Sequence, residues 1–257
     1  MNNYAIDCIS NGKRADERAF DEYRKIVIKT GVVAKAEGSA SVTMGETKII
    51  AGVKIDVGEP FPDTPGEGTI IVNAEFTPLA SPDFEAGPPD ENATELARVV
   101  DRGIRESECI DLKSISLLDS EKVLSLYIDI HIINDCGNLI DCSFLAALAA
   151  LMDSKIPKVE DGVMLRNEYE KDLEVFHTPT EVTVCKIGGK LVLDPTIEEE
   201  RGVDAKLTVC VREDDSISAL QKQGVVGLTM EETKEMIEIA IKKSKELRKL
   251  LKSKKEK

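Results

Sequence analysis

Residues 123–133 read VLSLYIDIHII, with an aliphatic side chain at every second position. This alternation predicts a β-strand that buries one face, while the other face carries Ser125, Asp129 and His131. His131 is therefore interpreted as an outward-facing strand residue and not as a metal ligand. This strand is the clearest that the sequence predicts, and further strands lie on both sides of it.

Two sets of strands are predicted around this segment. They are Ile26–Lys29, Ser39–Met44, Lys48–Val57 and Thr69–Thr77 before it, and Glu181–Ile187, Lys190–Leu193, Ala205–Val211 and Ser216–Leu220 after it. Gly45-Glu46 and Gly188-Gly189 are typical of hairpin turns between neighbouring strands. The acidic segment 160–178 shows no regular pattern and is expected to connect the two sets.

Three helices are predicted at residues 93–106, 143–152 and 229–251. The first has one apolar stripe, formed by Leu96, Val99, Val100 and Ile104. The second is apolar on every face, so we expect it to lie between layers. The third is amphipathic and opens with a capping box of Thr229 and Glu232. Strands followed by helices, twice, predict an α+β fold of two halves.

The predicted helix starts and domain limits follow from the same pattern. Asn92 or Thr94 is expected to cap the first helix, and Asp141 or Ser143 the second. The two predicted domains are residues 1–178 and 179–257, and the second ends in the Lys-rich tail 252–257.

The composition of the 257-residue chain restricts its class. Apolar residues make up 42% of it and charged residues 32%, a balance that excludes a disordered or a membrane protein. Six cysteines without a CxxC pair and only two histidines argue against a disulfide framework or a zinc site, and no cofactor or metal is predicted. No secretory signal is visible, so a cytosolic, reduced location is expected.

The charge of the chain is strongly negative and unevenly distributed. The net charge of −14 argues against binding nucleic acid by bulk attraction. Residues 55–97 contain ten acids and no Lys or Arg. Any anion that this protein binds must therefore be met by a few placed cations.

Arg98, Arg102 and Arg105 follow directly after this acidic segment. On a helix they lie within about 60° of each other, opposite the apolar stripe. One interpretation is a surface of weak salt bridges, with the pairs Glu95–Arg98, Asp101–Arg105 and Arg102–Glu106. The other is bidentate phosphate binding, for which Arg is better suited than Lys. The pattern alone favours the salt-bridged surface.

Two other sets of residues have a weaker case for chemistry. Residues 135–138, Asp-Cys-Gly-Asn, resemble a phosphate-binding turn at a helix N-terminus. The following Leu139, Ile140 and Asp141 supply no cation, so a plain hairpin or helix entry is favoured. The acids Asp194, Glu198, Glu199, Glu200 and Asp204 have no nucleophile or histidine near them in sequence. They are interpreted as an acidic loop and not as an acid–base or Mg²⁺ site.

Four motifs, in this order, resemble those of RNase PH-type phosphorolytic exoribonucleases. They are Asn11–Arg18 followed by Phe20–Arg24, Gly38–Val42 with Gly45-x-Thr47 and Ala51–Lys54, Glu95–Arg102, and Leu193–Thr196 with Glu199-Glu200. The last two are similar to the non-catalytic ring subunit of archaeal exosomes. The resemblance runs from about Gly12 to the C-terminal helix and implies an RNase PH-type fold. Glu17 departs from the family opening, which usually has glycine.

The resemblance also implies that this chain is not itself the catalyst. Active members carry a Gly-Gly-Ser/Thr-Arg type loop for the attacking phosphate, where this chain has residues 136–139, Cys-Gly-Asn-Leu. Leu139 thus replaces the arginine. Asp204 falls at or near the position of a catalytic aspartate in active relatives, and Asp194 matches the strand-end acid only loosely. A lone acid without bound phosphate supports no phosphorolysis.

The role that the resemblance implies is that of a non-catalytic component of the archaeal exosome, a 3′→5′ RNA-degrading complex. Such a chain alternates with active RNase PH-type subunits in a six-membered ring that also carries RNA-binding cap proteins. Arg98 and Arg102 are then expected to hold the backbone of single-stranded RNA, with Arg105 as a third contact. Two alternatives remain open: a self-sufficient phosphorolytic exoribonuclease, and a purely structural ring subunit that never contacts RNA.

Overall fold

A computed structural model gives the structure of the chain and describes residues 4–117, 122–160 and 163–252. The helices are α1 (Tyr4–Ser10), α2 (Glu91–Glu106), α3 (Leu139–Met152), α4 (Ile197–Glu200) and α5 (Met230–Lys252). The strands are β1 (Ile26–Thr30), β2 (Gly38–Met44), β3 (Thr47–Gly58), β4 (Thr69–Phe76), β5 (Val123–Asn134), β6 (Lys155–Glu160), β7 (Val163–Asp172), β8 (Thr180–Ile187), β9 (Lys190–Leu193), β10 (Val203–Val211) and β11 (Ile217–Gln223).

Two sheets form the two halves of the molecule. The first has the strand order β1-β2-β3-β5-β4, and the second has the order β11-β10-β8-β9. All neighbouring strands in both sheets are antiparallel except β4 and β5, which are parallel. The predicted α+β architecture of two halves is confirmed.

Helix α3 joins the two halves because it packs on β2 and β3 of the first sheet and on β8 of the second. Every residue from 140 to 151 is buried, as expected for a helix that is apolar on all faces and lies between layers. Helix α2 packs against β4, α3 and β11, and α5 covers β8 and β10. Helix α2 thus meets the second sheet at β11, and the candidate site lies there.

Strand β5 has the predicted orientation. Its apolar residues from Leu124 to Ile132 are buried, whereas the His131 side chain is 42% exposed and its Nδ1 lies 3.2 Å from Glu75 Oε2. Both predicted hairpin turns also form. Gly45 has φ 59°, a left-handed conformation that glycine adopts without steric cost.

The segment 160–178 differs from the prediction, because it contributes to a third, two-stranded sheet. β6 and β7 pair as an antiparallel hairpin. All described side chains of β7 are exposed or half-buried, so neither face carries the apolar alternation by which the other strands were predicted.

The predicted caps of the first two helices were wrong, because both helices begin earlier. Asp90 caps α2, and its Oδ1 accepts a hydrogen bond of 2.8 Å from Ala93 N. Helix α3 begins after Asn138, which has φ 58° and makes no side-chain cap, and Asp141 is buried within its first turn. The capping box of α5 is confirmed, since Glu232 N donates to Thr229 Oγ1 at 3.1 Å and Thr229 N donates to Glu232 Oε2 at 2.9 Å.

Two short helices, α1 and α4, were not predicted. Ile9 of α1 packs with Cys185, Ile187 and Val192 of the second sheet, although α1 lies within the first predicted domain. The domain limit after residue 178 stays a prediction. In the part of the chain that the structure describes, no helix is long and apolar enough to cross a membrane.

Candidate functional site

Arg98 and Arg102 lie on the outward face of α2, and both are exposed. Neither guanidinium makes a hydrogen bond or ion pair with any residue that the structure describes. Of the three salt bridges considered from the sequence, only Asp101–Arg105 is present in this described part, with 2.8 Å between Oδ1 and Nη2. These two arginines are therefore available to bind an anion.

A groove of about 600 Å³ runs along this face of α2, and we refer to it as the α2 groove. Arg98, Arg102 and Gln221 of β11 line one end, and Asp90, Glu91, Thr94 and Glu95 line the other. The two arginines are one helical turn apart, about 6 Å along the axis. The groove therefore presents two cations beside each other, bounded by acids toward the N-terminus of α2.

Arg105 has a different environment from the other two arginines. Its Nη2 donates to the Ile70 carbonyl oxygen at 2.9 Å and to Asp101 Oδ1 at 2.8 Å. These bonds hold the side chain against β4. Arg105 therefore already has hydrogen-bond partners among the described residues, unlike Arg98 and Arg102.

The turn at residues 135–138 leads into α3, and its backbone N–H groups are occupied by oxygen atoms of the chain itself. Cys136 N donates to Thr47 Oγ1 at 3.3 Å, and Gly137 N donates to Asp135 Oδ1 at 3.0 Å. Asn138 N donates to Glu200 Oε1 at 2.9 Å. The helix entry that the sequence favoured is confirmed. The acid that accepts a hydrogen bond there is Glu200, from the second half of the chain, and not Asp141, which was expected to cap the helix.

Glu200 and Asp135 make the surroundings of this turn unfavourable for phosphate. Together with Asn138, Leu139 and Lys206 they line a cavity of about 220 Å³. Burial raises the pKa of both carboxyls, and for Glu200 the charge of Lys206 and the hydrogen bond from Asn138 oppose that rise. The cavity thus holds acidic groups and one lysine in the place where an anion would have to bind.

Asp194 is a buried structural anchor. Its carboxylate accepts hydrogen bonds of 2.7 to 3.0 Å from Arg24, Arg18 and Asn138. Burial alone raises the pKa of Asp194, but the hydrogen bonds and charge of Arg24 outweigh it and hold that pKa below its usual value. Asp194 therefore links Arg18 and Arg24, near the N-terminus, to Asn138 in the turn before α3.

The remaining acids of the cluster are also engaged in separate contacts. Glu199 is buried and pairs with the buried Arg14, with 3.0 Å from Nε to Oε1. Glu198 pairs with Arg201 at 3.0 Å. Over the described residues, no group of three or more His, Cys, Asp or Glu side chains is arranged to hold a metal ion. The predicted acidic loop was therefore wrong as to structure, because Glu198, Glu199 and Glu200 lie in α4 and Asp204 lies in β10.

Asp204 does not line the cavity beside the turn. It lies at an irregularity in the pairing of β10 with β8, and its Oδ2 accepts a hydrogen bond of 3.2 Å from Gly188 N. Lys206, two residues further along β10, lines the cavity instead. Asp204 therefore supports the hairpin between β8 and β9.

Comparison with known proteins identifies the family. Residues 22–157 match domain 1 of the 3′ exoribonuclease family, RNase PH, and residues 177–243 match its domain 2. The chain belongs to this family. The resemblance inferred from the motifs and the RNase PH-type fold are thus confirmed.

Relatives within the family are similar over almost their whole length. The chain is 48% identical over 253 residues to exosome complex component Rrp42 of Thermococcus kodakarensis, covering 96% of this chain and 93% of the relative. It is 45% identical over 245 residues to the protein of that name from Methanosarcina acetivorans, covering 95% and 91%.

Solved structures give the same result. A chain of the Archaeoglobus fulgidus exosome with RNA bound to the active site superposes with a TM-score of 0.90 at 46% identity, covering 96% of both chains. A chain of an archaeal exosome core superposes with a TM-score of 0.87 at 42% identity, covering 97% and 95%. This RNase PH family member is therefore similar to archaeal exosome subunits in sequence and in structure.

Proposed function

We propose that this RNase PH family chain is the non-catalytic ring subunit of an archaeal exosome. It pairs with an active RNase PH-type subunit in a heterohexameric ring, supports the partner's active site and holds the 3′ end of single-stranded RNA. We further propose that the ring works in the cytoplasm and carries RNA-binding cap proteins. Similarity over nearly the whole chain to proteins named exosome complex component Rrp42 supports this assignment.

The absence of catalysis in this chain is supported by the turn before α3. An attacking phosphate needs free N–H donors and a cation. Here the Asn138 N–H donates to Glu200, and Leu139 supplies no charge. A second anion beside the Glu200 and Asp135 carboxyls is disfavoured by repulsion. The occupied turn is the observation that favours a non-catalytic subunit over a self-sufficient exoribonuclease.

The RNA contact is supported by the α2 groove. Arg98 and Arg102 are exposed, line the groove, and have no partner among the described residues. Two guanidinium groups one turn apart are suited to neighbouring phosphates of one strand. Arg105 would first have to leave Asp101 and the Ile70 carbonyl, so we assign it a smaller part in RNA binding.

Reconstitution tests the proposed function. The chain alone, given single-stranded RNA, phosphate and Mg²⁺, should not shorten the RNA. Mixed with an active RNase PH-type subunit, it should form a discrete heteromer that does. Phosphorolysis by the isolated chain, or failure to assemble with that partner, would refute the assignment.

A further inference from the structure

The carboxyl group of Glu181, at the start of β8, is buried without a hydrogen-bond partner for one of its oxygens. The residue is 1% exposed, and no described group donates to Oε2. A buried carboxyl group that lacks a partner is costly, so it requires an explanation. The proposed function, as stated above, gives this residue no role.

The Glu181 carboxyl lies directly against α2, beside Arg102. A methyl group added at Gly103 would come within 2.4 Å of Glu181 Oε1. The missing side chain of Gly103 is therefore what allows the carboxyl to approach the helix. Any longer residue at this position would push Glu181 away from α2.

Glu181 and Arg102 also share a small cavity. It has a volume of about 10 Å³ and is lined by both side chains together with Val99, Thr208 and Gln221. Three of these residues, Val99, Arg102 and Gln221, also line the α2 groove. The cavity thus leads from the groove to Glu181, and Arg102 lies where the two meet. Arg98 lines the groove but not the cavity.

We propose that Glu181 is a positioning residue for Arg102. When RNA enters the groove, the Arg102 guanidinium, which has no partner among the described residues of the free chain, bonds to the buried carboxylate with one edge and to an RNA phosphate with the other. A guanidinium has five N–H donors in a planar fork, so it can serve both acceptors at once. A guanidinium bonded at both edges holds the phosphate in a more defined geometry than one bonded to the phosphate alone. The inference rests on the proposed RNA contact of Arg102.

The charged surroundings of Glu181 agree with this role. Burial raises the pKa of Glu181 well above its usual range, and the Asp141 carboxyl raises it further. The charged or titratable groups that face it are Arg102 from α2, Asp141 from α3 and Cys210 from β10. Arg102 is the one cation in this described set, so its approach is what favours the ionised carboxyl.

A double-mutant cycle in the assembled ring tests the proposal. Binding of a fluorescein-labelled single-stranded oligoadenylate is measured in phosphate-free buffer by anisotropy. Glu181→Met should weaken binding about fivefold, the effect expected when two coupled groups are separated. In an Arg102→Ala ring the same change should have no further effect. In an Arg98→Ala ring, the matched control, it should again weaken binding about fivefold.

The outcomes separate this inference from the proposed function. An unchanged affinity in Glu181→Met, or an equal loss in the Arg102→Ala and Arg98→Ala backgrounds, would overturn the positioning role. Unchanged binding in Arg98→Ala/Arg102→Ala would instead overturn the RNA contact itself.

A pH profile provides the second measurement, and it also serves if Glu181→Met does not assemble. Glu181→Gln keeps the shape and one acceptor oxygen but cannot ionise. Affinity of the wild-type ring should rise with pH as Glu181 loses its proton, and the Glu181→Gln ring should lack that component. Because the Asp141 carboxyl interacts with Glu181, the difference between the two rings reports the titration of this coupled pair. Identical pH profiles would refute the proposal.

Discussion

The backbone N–H of Asn138 donates a 2.9 Å hydrogen bond to Glu200 Oε1, so an acid from the second half of the chain meets the N-terminus of α3. A helix N-terminus carries partial positive charge and favours an anion. In this chain the anion is the side chain of Glu200 and not a bound ligand. The same contact ties the two halves together and removes a donor that a bound phosphate would need.

Leu139→Arg combined with Glu200→Gln should therefore create phosphate affinity. The first change supplies a cation at the turn, and the second removes the competing carboxylate. Calorimetric titration with inorganic phosphate should detect binding by the double variant and none by the wild-type chain under the same conditions. Either single variant should bind more weakly than the double variant. A double variant that binds no better than wild type would contradict the role given to Glu200.

Arg98→Ala/Arg102→Ala should weaken RNA binding by the ring without dissolving it, because Leu96, Val99 and Ile104 keep α2 packed from its other face. The slope of log affinity against log salt should shrink by about 1.4, or roughly 0.7 for each lost phosphate contact on a single strand. The loss should be similar for different RNA sequences, since phosphate contacts do not distinguish bases. Phosphorolysis should fall as well, because a poorly held 3′ end is poorly presented to the partner's site.

Arg105→Ala is the matched control for that variant. It removes one cation from the same helix but breaks bonds to Asp101 and the Ile70 carbonyl. Its main effect should be a small loss of stability, with a salt slope close to wild type. The double substitution could also leave the ring intact with unchanged RNA affinity and salt slope. That result would show that Arg98 and Arg102 do not contact RNA and would favour a purely structural ring subunit.

Both the sheets and the arginine face could be predicted because burial produces a local repeat in the sequence. The alternation around Ile128 predicts a strand, and the helical spacing of Leu96 and Ile104 places Arg98 and Arg102 outside. The hairpin of β6 and β7 was missed because β6 buries two adjacent residues, Ile156 and Pro157, and β7 buries none of its described residues, so neither strand carries such a repeat. Helix α1 was missed because seven residues are too few to establish one.

Contacts between distant parts of the chain could not be predicted from local pattern. Arg24 and Asp194 are 170 positions apart, and only the folded structure shows that they pair. Glu181 opens a predicted strand, where an acid is ordinarily exposed. Its burial against Gly103 depends on how α2 meets the second sheet. Gln221 likewise reaches the α2 groove only through that packing.

Asp194→Asn should destabilise the chain strongly, whereas Asp204→Ala should not. Removing the Asp194 charge leaves Arg24 and Arg18 without their buried partner, a change that typically costs about 3–5 kcal/mol of unfolding free energy. Asp204 is half-buried and accepts one long bond from Gly188, so its loss should cost less than about 1 kcal/mol. Urea unfolding of both variants measures the difference.

The activity of the Asp204→Ala variant tests the assignment of catalysis to the partner. Asp204→Ala should leave phosphorolysis by the assembled ring within a few-fold of wild type. Abolished turnover in that variant, with the partner's site intact, would show that this chain contributes a catalytic acid after all.

The pH dependence of stability should carry a contribution from Asp141. Its side chain is buried in the first turn of α3, where burial raises its pKa from 3.8 to about 6 although Tyr23 Oη donates to Oδ2 at 2.9 Å. Between these two values the folded chain keeps a proton that the unfolded chain has lost. Stability therefore falls as pH rises through this window, by at most roughly 3 kcal/mol at 1.36 kcal/mol per pKa unit.

Asp141→Asn should remove this fall, because the amide keeps the shape of the side chain and does not ionise. The measurement is the unfolding free energy of wild type minus that of the variant, from urea titrations between about pH 4 and pH 6. Buried acids that do not interact with Asp141, such as Glu200, titrate in both chains and cancel in the difference, whereas the coupled carboxyl of Glu181 contributes together with Asp141. We expect the difference to become more negative with increasing pH. A difference that stays constant across the window would show that Asp141 is ionised in the folded chain at low pH, with Tyr23 and its other neighbours compensating its burial.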